Sequence, residues 1–299
     1  MKGNIGWIGT GLMGAPMCAH LMKNGYKTFV YNRSPEKAEK LGFKGATVCY
    51  SPAEVAQNSD VVFSIVGYPQ DVASIYLEED GIFSTARKDT ICIDMTSSRP
   101  SLAKELSLKG VKKSIYCLDA PVSGGPKGAS EASLSIMVGG DPSAYHRVLP
   151  LFKILGKSIE LMGEAGAGQH TKVCNQTLIA TTMIGVVEAL LYAYKSGLNP
   201  KKVIEILSNG AAASYSLNNL GLAIVNNDFS PGFYIKHFIK DMDIALHESM
   251  RMNLSLPGLA LAKQFYTAAA AQGLEEDGTQ ALFKVLAQMN HVDPATIST

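Results

Sequence analysis

Glycine residues near the start of the chain have the spacing of a phosphate-binding turn. Gly9, Gly11 and Gly14 form the pattern G-x-G-x-x-G, between a short apolar run at 5–8 and a segment with helical periodicity. In this context the first glycine permits a tight turn, the second lets the backbone approach a pyrophosphate, and the third lets the helix pack against the strand. N–H groups at the helix N-terminus then face the phosphates. The pattern predicts a dinucleotide-binding loop, whose cofactor-contacting residues are Gly9, Gly11, Leu12, Met13 and Gly14.

The end of the predicted second strand indicates which dinucleotide is bound. Asn32-Arg33-Ser34 follows this strand, about 20 residues after the glycine loop, where an acidic residue would bind the ribose of NAD. No acid is present. Arg33 instead offers a guanidinium group to a 2′-phosphate, with Asn32 and Ser34 as further hydrogen-bonding partners. We therefore expect NADPH to be preferred, with NAD as a possible cofactor.

A serine flanked by glycines and prolines follows a later predicted strand. Ser123 is followed by Gly124 and Gly125, with Pro121 and Pro126 on either side. Such a turn exposes a hydroxyl group and free backbone N–H groups, a combination that suits a carboxylate. Because Pro121 stands two residues before the serine, the stretch is not the G-x-S-x-G turn of a hydrolase. Taken alone, the stretch is also compatible with a plain tight turn.

The first half of the chain has the pattern that would position these residues. Strand-like apolar runs alternate with helical segments, which predicts an α/β fold with a doubly wound parallel sheet. Ligands bind such sheets beyond the carboxyl ends of the strands. Val66, Gly67 and Thr96 follow two of the predicted strands. We therefore expect them to line the cofactor site.

The pattern changes near residue 163. Glycines at 163, 166 and 168 precede a long helical segment over about 169–196, which is apolar around much of its circumference and is therefore expected to be buried. Beyond it no β-rich alternation is convincing. We predict an NADP-binding Rossmann domain over residues 1–162 and an all-helical domain over residues 163–299.

The bulk composition limits the possible functions. Of the 299 residues, 46% are hydrophobic and 18% charged, and the formal net charge is +1. This is the profile of an ordinary globular protein, with no electrostatic case for nucleic acid or an anionic membrane. The longest apolar run, 178–187, is short of the ~20 residues that a membrane span needs.

Cysteine and histidine content argues against disulfides and metals. The five cysteines (18, 49, 92, 117 and 174) include no C-x-x-C pair, so reduced thiols in a cytoplasmic protein fit best. The histidines form no metal-ligand cluster, and we predict no bound metal. Met1-Lys2-Gly3 leads directly into the first predicted strand, which leaves no room for a signal peptide.

Four separated motifs together resemble the β-hydroxyacid dehydrogenase family, which contains 3-hydroxyisobutyrate, tartronate semialdehyde and 4-hydroxybutyrate dehydrogenases. They are the glycine loop, the stretch 119–125, the stretch 166–175 (GAGQHTKVCN) and the pair Lys240-Asp241. The resemblance covers nearly the whole chain. It implies a Rossmann domain followed by a helical domain on a long interdomain helix, assembled as a homodimer or homotetramer.

The resemblance implies a catalytic lysine. Lys172 matches the general acid–base of the family, and Asn175 matches the amide that orients the substrate hydroxyl or carbonyl oxygen. The residue types are compatible with this, because Asn175 and Gln176 follow the lysine at i+3 and i+4 on one helix face. Burial and the positive end of the helix would both favour the neutral amine. We include Gln176 among the expected substrate-binding residues.

Further roles follow from the same resemblance. Ser123, Gly124 and Gly125 match the loop that holds the substrate carboxylate. Thr96 matches the residue packed beside the nicotinamide, and Lys240 matches the lysine that closes over the cofactor. The implied reaction is hydride transfer between a nicotinamide and a small carboxylate-bearing hydroxyacid or semialdehyde, with reduction as the expected direction.

Departures from the family pattern leave the substrate open. Gln176 stands where many members have a second asparagine, and Ala132-Ser133 replaces a frequent Gly-Thr pair. Tyr215 and Phe233, with Lys240, are candidates for contacts to the substrate tail. The rival enzymes are a 6-phosphogluconate dehydrogenase-like decarboxylase, which has a histidine where this chain has Asn175, and an imine reductase, which lacks the lysine. A non-catalytic NADPH-binding module is the third alternative.

Overall fold

The computed structural model describes residues 3–298, so Met1, Lys2 and Thr299 lie outside it. The described chain forms two compact units, one ending at Lys172 and the other beginning at Val173. The first unit contains a nine-stranded sheet and the second is helical. The predicted fold class, a doubly wound sheet followed by an all-α part on a long helix, is confirmed.

Parallel pairing dominates the sheet. In the order β3-β2-β1-β4-β5-β6 all neighbours are parallel, and β8 then pairs antiparallel with β6 and β7, while β9 pairs parallel with β8. The carboxyl ends of the central strands therefore lie along one edge, where a ligand is expected. The strands are β1 Ile5–Ile8, β2 Thr28–Tyr31, β3 Thr47–Val48, β4 Val61–Ser64, β5 Ile91–Asp94, β6 Tyr116–Asp119, β7 Val122–Ser123, β8 Leu134–Gly139 and β9 Gly156–Gly163.

Both faces of the sheet are covered by apolar layers. Trp7 in β1 and Phe63 in β4 stack with ring centroids 5.2 Å apart on one face. Ile8 and Val62, the alternate residues of the same strands, belong to the layer on the other face. Burial on both faces explains why these strands are continuous apolar runs in the sequence.

Proline begins many of the helices of the chain, because its fixed φ suits the first helical position and its missing N–H would have no partner there. Side chains of Ser51, Asp141 and Asn199 cap three of these helices by accepting a backbone N–H. The helices of the first unit are α1 Gly14–Lys23, α2 Pro35–Gly42, α3 Pro52–Gln57, α4 Pro69–Leu77, α5 Ile82–Thr85, α6 Pro100–Lys112, α7 Gly125–Ser130 and α8 Pro142–Leu155.

One 29-residue helix, α9 (Ala167–Lys195), begins in the first unit and continues into the second. Within the described residues it is the one helix long and apolar enough to cross a membrane. Its buried residues, including Met183 and Val187, belong to the core of the second unit, which is the environment of a buried core helix. The other helices are α10 Pro200–Leu207, a π-helical turn Ser216–Gly221, α11 Leu222–Val225, α12 Ile235–Arg251, α13 Pro257–Ala271, α14 Leu282–Met289 and 3-10 turns Thr279–Ala281 and Pro294–Ser298.

The division between the units falls inside α9, whereas the glycine cluster suggested a division after residue 162. The first turn of α9 packs on the sheet of the first unit. A Cβ on Gly168 would run into the carbonyl oxygens of Met137 and Asp119, so only glycine permits this approach. The backbone of the first turn of α9 thus packs directly on the backbone of the sheet, and the helix up to Lys172 belongs to the first unit.

We predict that Gly168→Ala lowers the unfolding free energy by about 1–3 kcal/mol, because the added methyl group overpacks the contact with the sheet. Urea unfolding followed by fluorescence of Trp7, the one tryptophan in the chain, reports on this unit directly.

Gly185→Ala is the matched control in the same helix. Nothing lies within 4 Å of its added Cβ, so higher helix propensity should raise stability by up to ~1 kcal/mol, measured by circular dichroism. Equal effects of the two substitutions would contradict the packing argument.

Candidate active site

The glycine loop has the shape expected for close approach by a ligand. Gly9 has a φ of 96°, and a Cβ on it would run into the carbonyl oxygen of Ile65. A Cβ on Gly11, in contrast, would meet nothing within 4 Å. The first glycine is therefore required by the protein's own backbone, while the second leaves open space over the loop. This is the space that a pyrophosphate would fill.

Leu12 and Met13 follow the open glycine before α1 begins at Gly14. Leu12 is 56% exposed, and Met13 packs partly against the core of the unit. These two side chains of the loop therefore differ in their surroundings, since Leu12 faces solvent and Met13 contacts the core. The exposed Leu12 is the one that a bound ligand could cover.

Asn32 holds the glycine loop in place. Its Oδ1 accepts the N–H of Thr10 at 2.8 Å, and its Nδ2 donates to the carbonyl oxygen of Ser34 at 3.0 Å. The amide thus connects the end of β2 to the loop after β1. Ser34 occupies the N-cap position of α2, and its side chain forms no capping hydrogen bond.

Arg33 extends from the same strand end and pairs with an acid that the sequence analysis did not identify. Its side chain is 84% exposed, and Nη1 lies 2.9 Å from Oδ1 of Asp71. The other oxygen of Asp71 accepts the N–H of Tyr68 at 3.1 Å, as part of the cap of α4. The helix cap therefore fixes the carboxylate that holds one edge of the guanidinium group.

The ends of β4 and β5 are joined by Thr96. Its Oγ1 accepts the N–H of Val66 at 3.0 Å, and its own N–H donates to Oδ1 of Asp94 at 3.1 Å. Gly67 follows Val66, and a Cβ on it would come within 3.2 Å of Oδ2 of Asp71. The predicted lining residues Val66, Gly67 and Thr96 thus lie at one edge of the sheet.

Asp94 is a buried carboxyl group below this edge. Burial raises its pKa to about 6, although hydrogen bonds from Thr96 and from the Ser64 hydroxyl, 3.1 Å away, act in the opposite direction. Burial disfavours the charged form because the interior solvates it less well than water. Asp94 therefore takes up a proton near neutrality more readily than an exposed carboxyl group.

Lys172 reaches the serine loop. It is 9% exposed, and its Nζ donates to the carbonyl oxygen of Val122 at 2.9 Å. Val122 and Ser123 form β7, and Gly124 and Gly125 follow with φ values of 131° and 61°. The structure thus brings the predicted acid–base and the predicted carboxylate loop together in the first unit.

Asp119 and Gln169 position the start of α9. Asp119 accepts the N–H of Gly166 at 2.7 Å and that of Gln169 at 2.8 Å, one on each oxygen. The Gln169 side chain accepts the N–H of Ser98 at 2.9 Å and donates to the carbonyl oxygen of Thr96 at 2.7 Å. Burial raises the pKa of Asp119, while the two N–H donors lower it. Both residues lie within predicted motifs, but their partners are 47–73 residues away.

The second unit holds the remaining predicted site residues in a connected set. Asn175 Nδ2 donates to Gln176 Oε1 at 2.7 Å, and Gln176 Nε2 donates to Asp241 Oδ2 at 2.6 Å. Lys240 Nζ lies 2.9 Å from Asp241 Oδ1. Asn175, Gln176 and Lys240 are therefore linked through Asp241, whose role was not predicted.

Other candidates in this unit have fewer such contacts. Tyr215 is 69% exposed, and Phe233 stacks on the His237 ring at 6.5 Å. Burial, followed by the nearby charges of Lys240 and Lys236, lowers the pKa of His237.

Within residues 3–298 no group of three or more His, Cys, Asp or Glu side chains could hold a metal ion.

Family models of known dehydrogenases match both parts of the chain. Residues 4–163 match the family model described as the NAD binding domain of 6-phosphogluconate dehydrogenase. Residues 166–286 match the model described as the NAD-binding domain of NADP-dependent 3-hydroxyisobutyrate dehydrogenase.

Two curated relatives cover almost the whole chain. A probable mitochondrial 3-hydroxyisobutyrate dehydrogenase-like protein of Arabidopsis thaliana is 50% identical, over 96% of this chain and 86% of its own length. The 2-hydroxy-3-oxopropionate reductase of Escherichia coli is 37% identical, over 96% and 98%. Among solved structures, 3-hydroxyisobutyrate dehydrogenase of Mycobacterium tuberculosis with L-serine superposes with a TM-score of 0.89 at 30% identity, over 96% of this chain and 99% of that one.

Asp94 generates a prediction about pH. Because its pKa is raised to about 6 in the folded chain, folding takes up a proton between about pH 4 and pH 6. The unfolding free energy of the native protein should therefore fall as pH rises through this window, relative to that of Asp94→Asn, which does not titrate. We expect a relative loss of about 2–3 kcal/mol between pH 4 and pH 7.

Urea unfolding at several pH values, followed by Trp7 fluorescence, measures this difference. The comparison at pH 4, where both side chains are neutral in the folded protein, is the baseline. A difference that stays constant, or that changes in the opposite direction, would contradict the assignment.

Proposed function

Because this chain belongs to the β-hydroxyacid dehydrogenase family, we propose that it is an NADPH-preferring semialdehyde reductase in which Lys172 is the general acid–base. Family membership makes it an NAD(P)-dependent oxidoreductase that acts on CH–OH groups. The observation that carries the finer proposal is the 2.9 Å hydrogen bond from Lys172 Nζ to Val122, directly before Ser123. It supports a proton donor beside a loop suited to a carboxylate.

In the proposed reaction the residues of the chain bind, orient and protonate. The Ser123 hydroxyl and the N–H groups of Gly124 and Gly125 hold the substrate carboxylate, and Asn175 orients the reacting oxygen. NADPH supplies the hydride. Lys172 donates a proton to the developing alkoxide during reduction and accepts the hydroxyl proton during oxidation. The hydrogen bond to Val122 and the burial of Lys172 restrict the side chain to the neighbourhood of the loop.

The proposed substrate is a short semialdehyde or hydroxyacid with one carboxylate. The Arabidopsis and Escherichia coli relatives are named for 3-hydroxyisobutyrate and 2-hydroxy-3-oxopropionate, and the Mycobacterium tuberculosis structure contains L-serine. All three compounds are small. Each carries one carboxylate and a hydroxyl or aldehyde oxygen on the same short carbon chain. Tyr215, Phe233 and Lys240 are the proposed contacts to the part of the substrate that differs between such acids.

The proposed preference for NADPH rests on Arg33. Asp71 engages one nitrogen of its guanidinium group, and Arg can use its other donors for the 2′-phosphate. Asn32 supports the glycine loop beside it, with Gly9, Gly11, Leu12, Met13 and Gly14 under the pyrophosphate. Thr96, Val66 and Gly67 are proposed to lie near the nicotinamide half. We also propose a homodimer or homotetramer, and residence in the cytoplasm on the basis of the thiol content.

We predict that Lys172→Ala lowers kcat by about 10²–10⁴-fold, the contribution usual for a general acid–base, while NADPH binding is retained. The assay is NADPH consumption with glyoxylate and with the semialdehydes of tartronate, methylmalonate and succinate. NADPH binding is measured in parallel by fluorescence titration.

Lys195→Ala is the control, since this exposed lysine lies at the other end of α9. Substantial residual turnover in Lys172→Ala would remove the proposed role. Tight NADPH binding by the wild type without turnover of any semialdehyde would instead point to an imine substrate, a bulkier acid or a non-catalytic role.

We predict that Arg33→Asp weakens NADPH binding by about 10- to 100-fold, because it removes a charge-assisted hydrogen bond and the introduced carboxylate repels the 2′-phosphate. NADH binding should change little, because NADH lacks the phosphate. Arg87→Asp is the matched control, since Arg87 is also exposed and also pairs with an aspartate, Asp60, at 2.9 Å. An unchanged ratio of NADPH to NADH affinity in Arg33→Asp would show that this arginine does not bind the phosphate.

A further inference from the structure

Four polar side chains form a continuous line in the second unit. The line runs from Asn175 to Gln176 at 2.7 Å, from Gln176 to Asp241 at 2.6 Å and from Asp241 to Lys240 at 2.9 Å. Gln176 is 2% exposed and Asp241 3%. Because Gln176 and Asp241 are 65 residues apart, the fold creates this line, and their side chains have little access to solvent.

The chemistry of the four groups allows one direction of hydrogen bonding. A carboxylate accepts hydrogen bonds and cannot donate them, so the NH₂ group of Gln176 must face Asp241. The carbonyl oxygen of Gln176 then faces Asn175, and the NH₂ group of Asn175 must face it. A flipped Asn175 amide would bring its carbonyl oxygen against that of Gln176 in a partly buried position, which is costly. The ammonium group of Lys240 lies 2.9 Å from the other oxygen of Asp241 and pairs with its charge.

We propose that Asp241, acting through Gln176, is a positioning residue that holds the Asn175 amide in one of its two orientations. Gln176, which the sequence analysis included among the substrate-binding residues, then serves the site by supporting Asn175. This rests on the proposed function only in that Asn175 orients the substrate oxygen. The amide of Asn175 presents its oxygen and nitrogen in fixed places, so a reacting hydroxyl or carbonyl group meets a defined partner.

Glutamine at position 176 suits this role because of its length. Its side chain makes both bonds at once, to Asn175 on one side and to α12 on the other. An asparagine at this position would be shorter by one methylene group. The length of the glutamine side chain therefore suits the bridge between Asn175 and Asp241.

Moving the carboxylate from position 241 to position 176 tests the proposal. Asp241→Asn removes the acceptor that orients Gln176, so the amides of both residues can flip. We expect kcat/KM for the semialdehyde to fall by about 10- to 100-fold. The double variant Gln176→Glu with Asp241→Asn moves the carboxylate one place, where it accepts from Asn175 and from the new amide. It restores the orientation of Asn175, and we expect most of the activity to return.

Asp243→Asn is the control, since Asp243 is two residues further along α12, pairs with Lys263 and is outside the line. It should leave kcat/KM unchanged. NADPH affinity is measured for every variant, because a loss confined to the cofactor would assign the effect to Lys240. A double variant no more active than Asp241→Asn would overturn the proposal, as would Asp241→Asn with wild-type kinetics.

Neutron diffraction from deuterated wild-type crystals tests the orientation without any turnover. The expected map has deuterium on Asn175 Nδ2 directed at Gln176 Oε1, and the opposite arrangement would overturn the proposal. A wild type that reduces no semialdehyde but has the expected map would count against the proposed function alone. The two ideas can therefore fail separately.

Discussion

The carboxylate of Asp119 is the group on which the arrangement of the first unit depends. It lies at the carboxyl end of β6 and accepts two N–H groups from the start of α9. These N–H groups have no partners within a helix, so an acceptor must be supplied from elsewhere. By supplying it from the sheet, the protein holds the start of α9 in place. Lys172, one turn further on, therefore reaches Val122.

A second set of hydrogen bonds ties the strand ends to one another. Asn32 joins β2 to the glycine loop, Thr96 joins the ends of β4 and β5, and Gln169 joins the segment after β5 to α9. Each of these side chains forms a hydrogen bond with a backbone N–H or carbonyl group just beyond the end of a strand, where pairing between strands stops. Residues that lie beside a ligand in a Rossmann-like fold thus also maintain the edge of the sheet, and their two roles cannot be separated by inspection of the sequence.

Much of the fold could be predicted because its signals are local. The glycine spacing, the β-rich runs and the long apolar helix each occupy a continuous segment, and α9 (Ala167–Lys195) matches the predicted helix to within two residues. The added strands β7, β8 and β9 were not predicted, since short or half-polar strands have weak periodicity. The residues of the candidate site were predicted from motifs, and these motifs gave no role to Asp71, Asp119 or Asp241. Each acts on a partner from another segment, and which oxygen meets which N–H is decided only when the chain folds.

The position of α9 has a consequence for modular evolution of such proteins. Its first turn is matched to Asp119 in one unit, and Gln176, two turns later, is matched to Asp241 in the other. A recombination event that joins halves of two relatives at the glycine cluster would separate the helix start from its own sheet. One that cuts after Lys172 would separate Lys172 from the amides that follow it. The segment 166–176 is thus inherited best as a block together with partners on both sides, which makes exchange of whole domains harder than the two-unit architecture suggests.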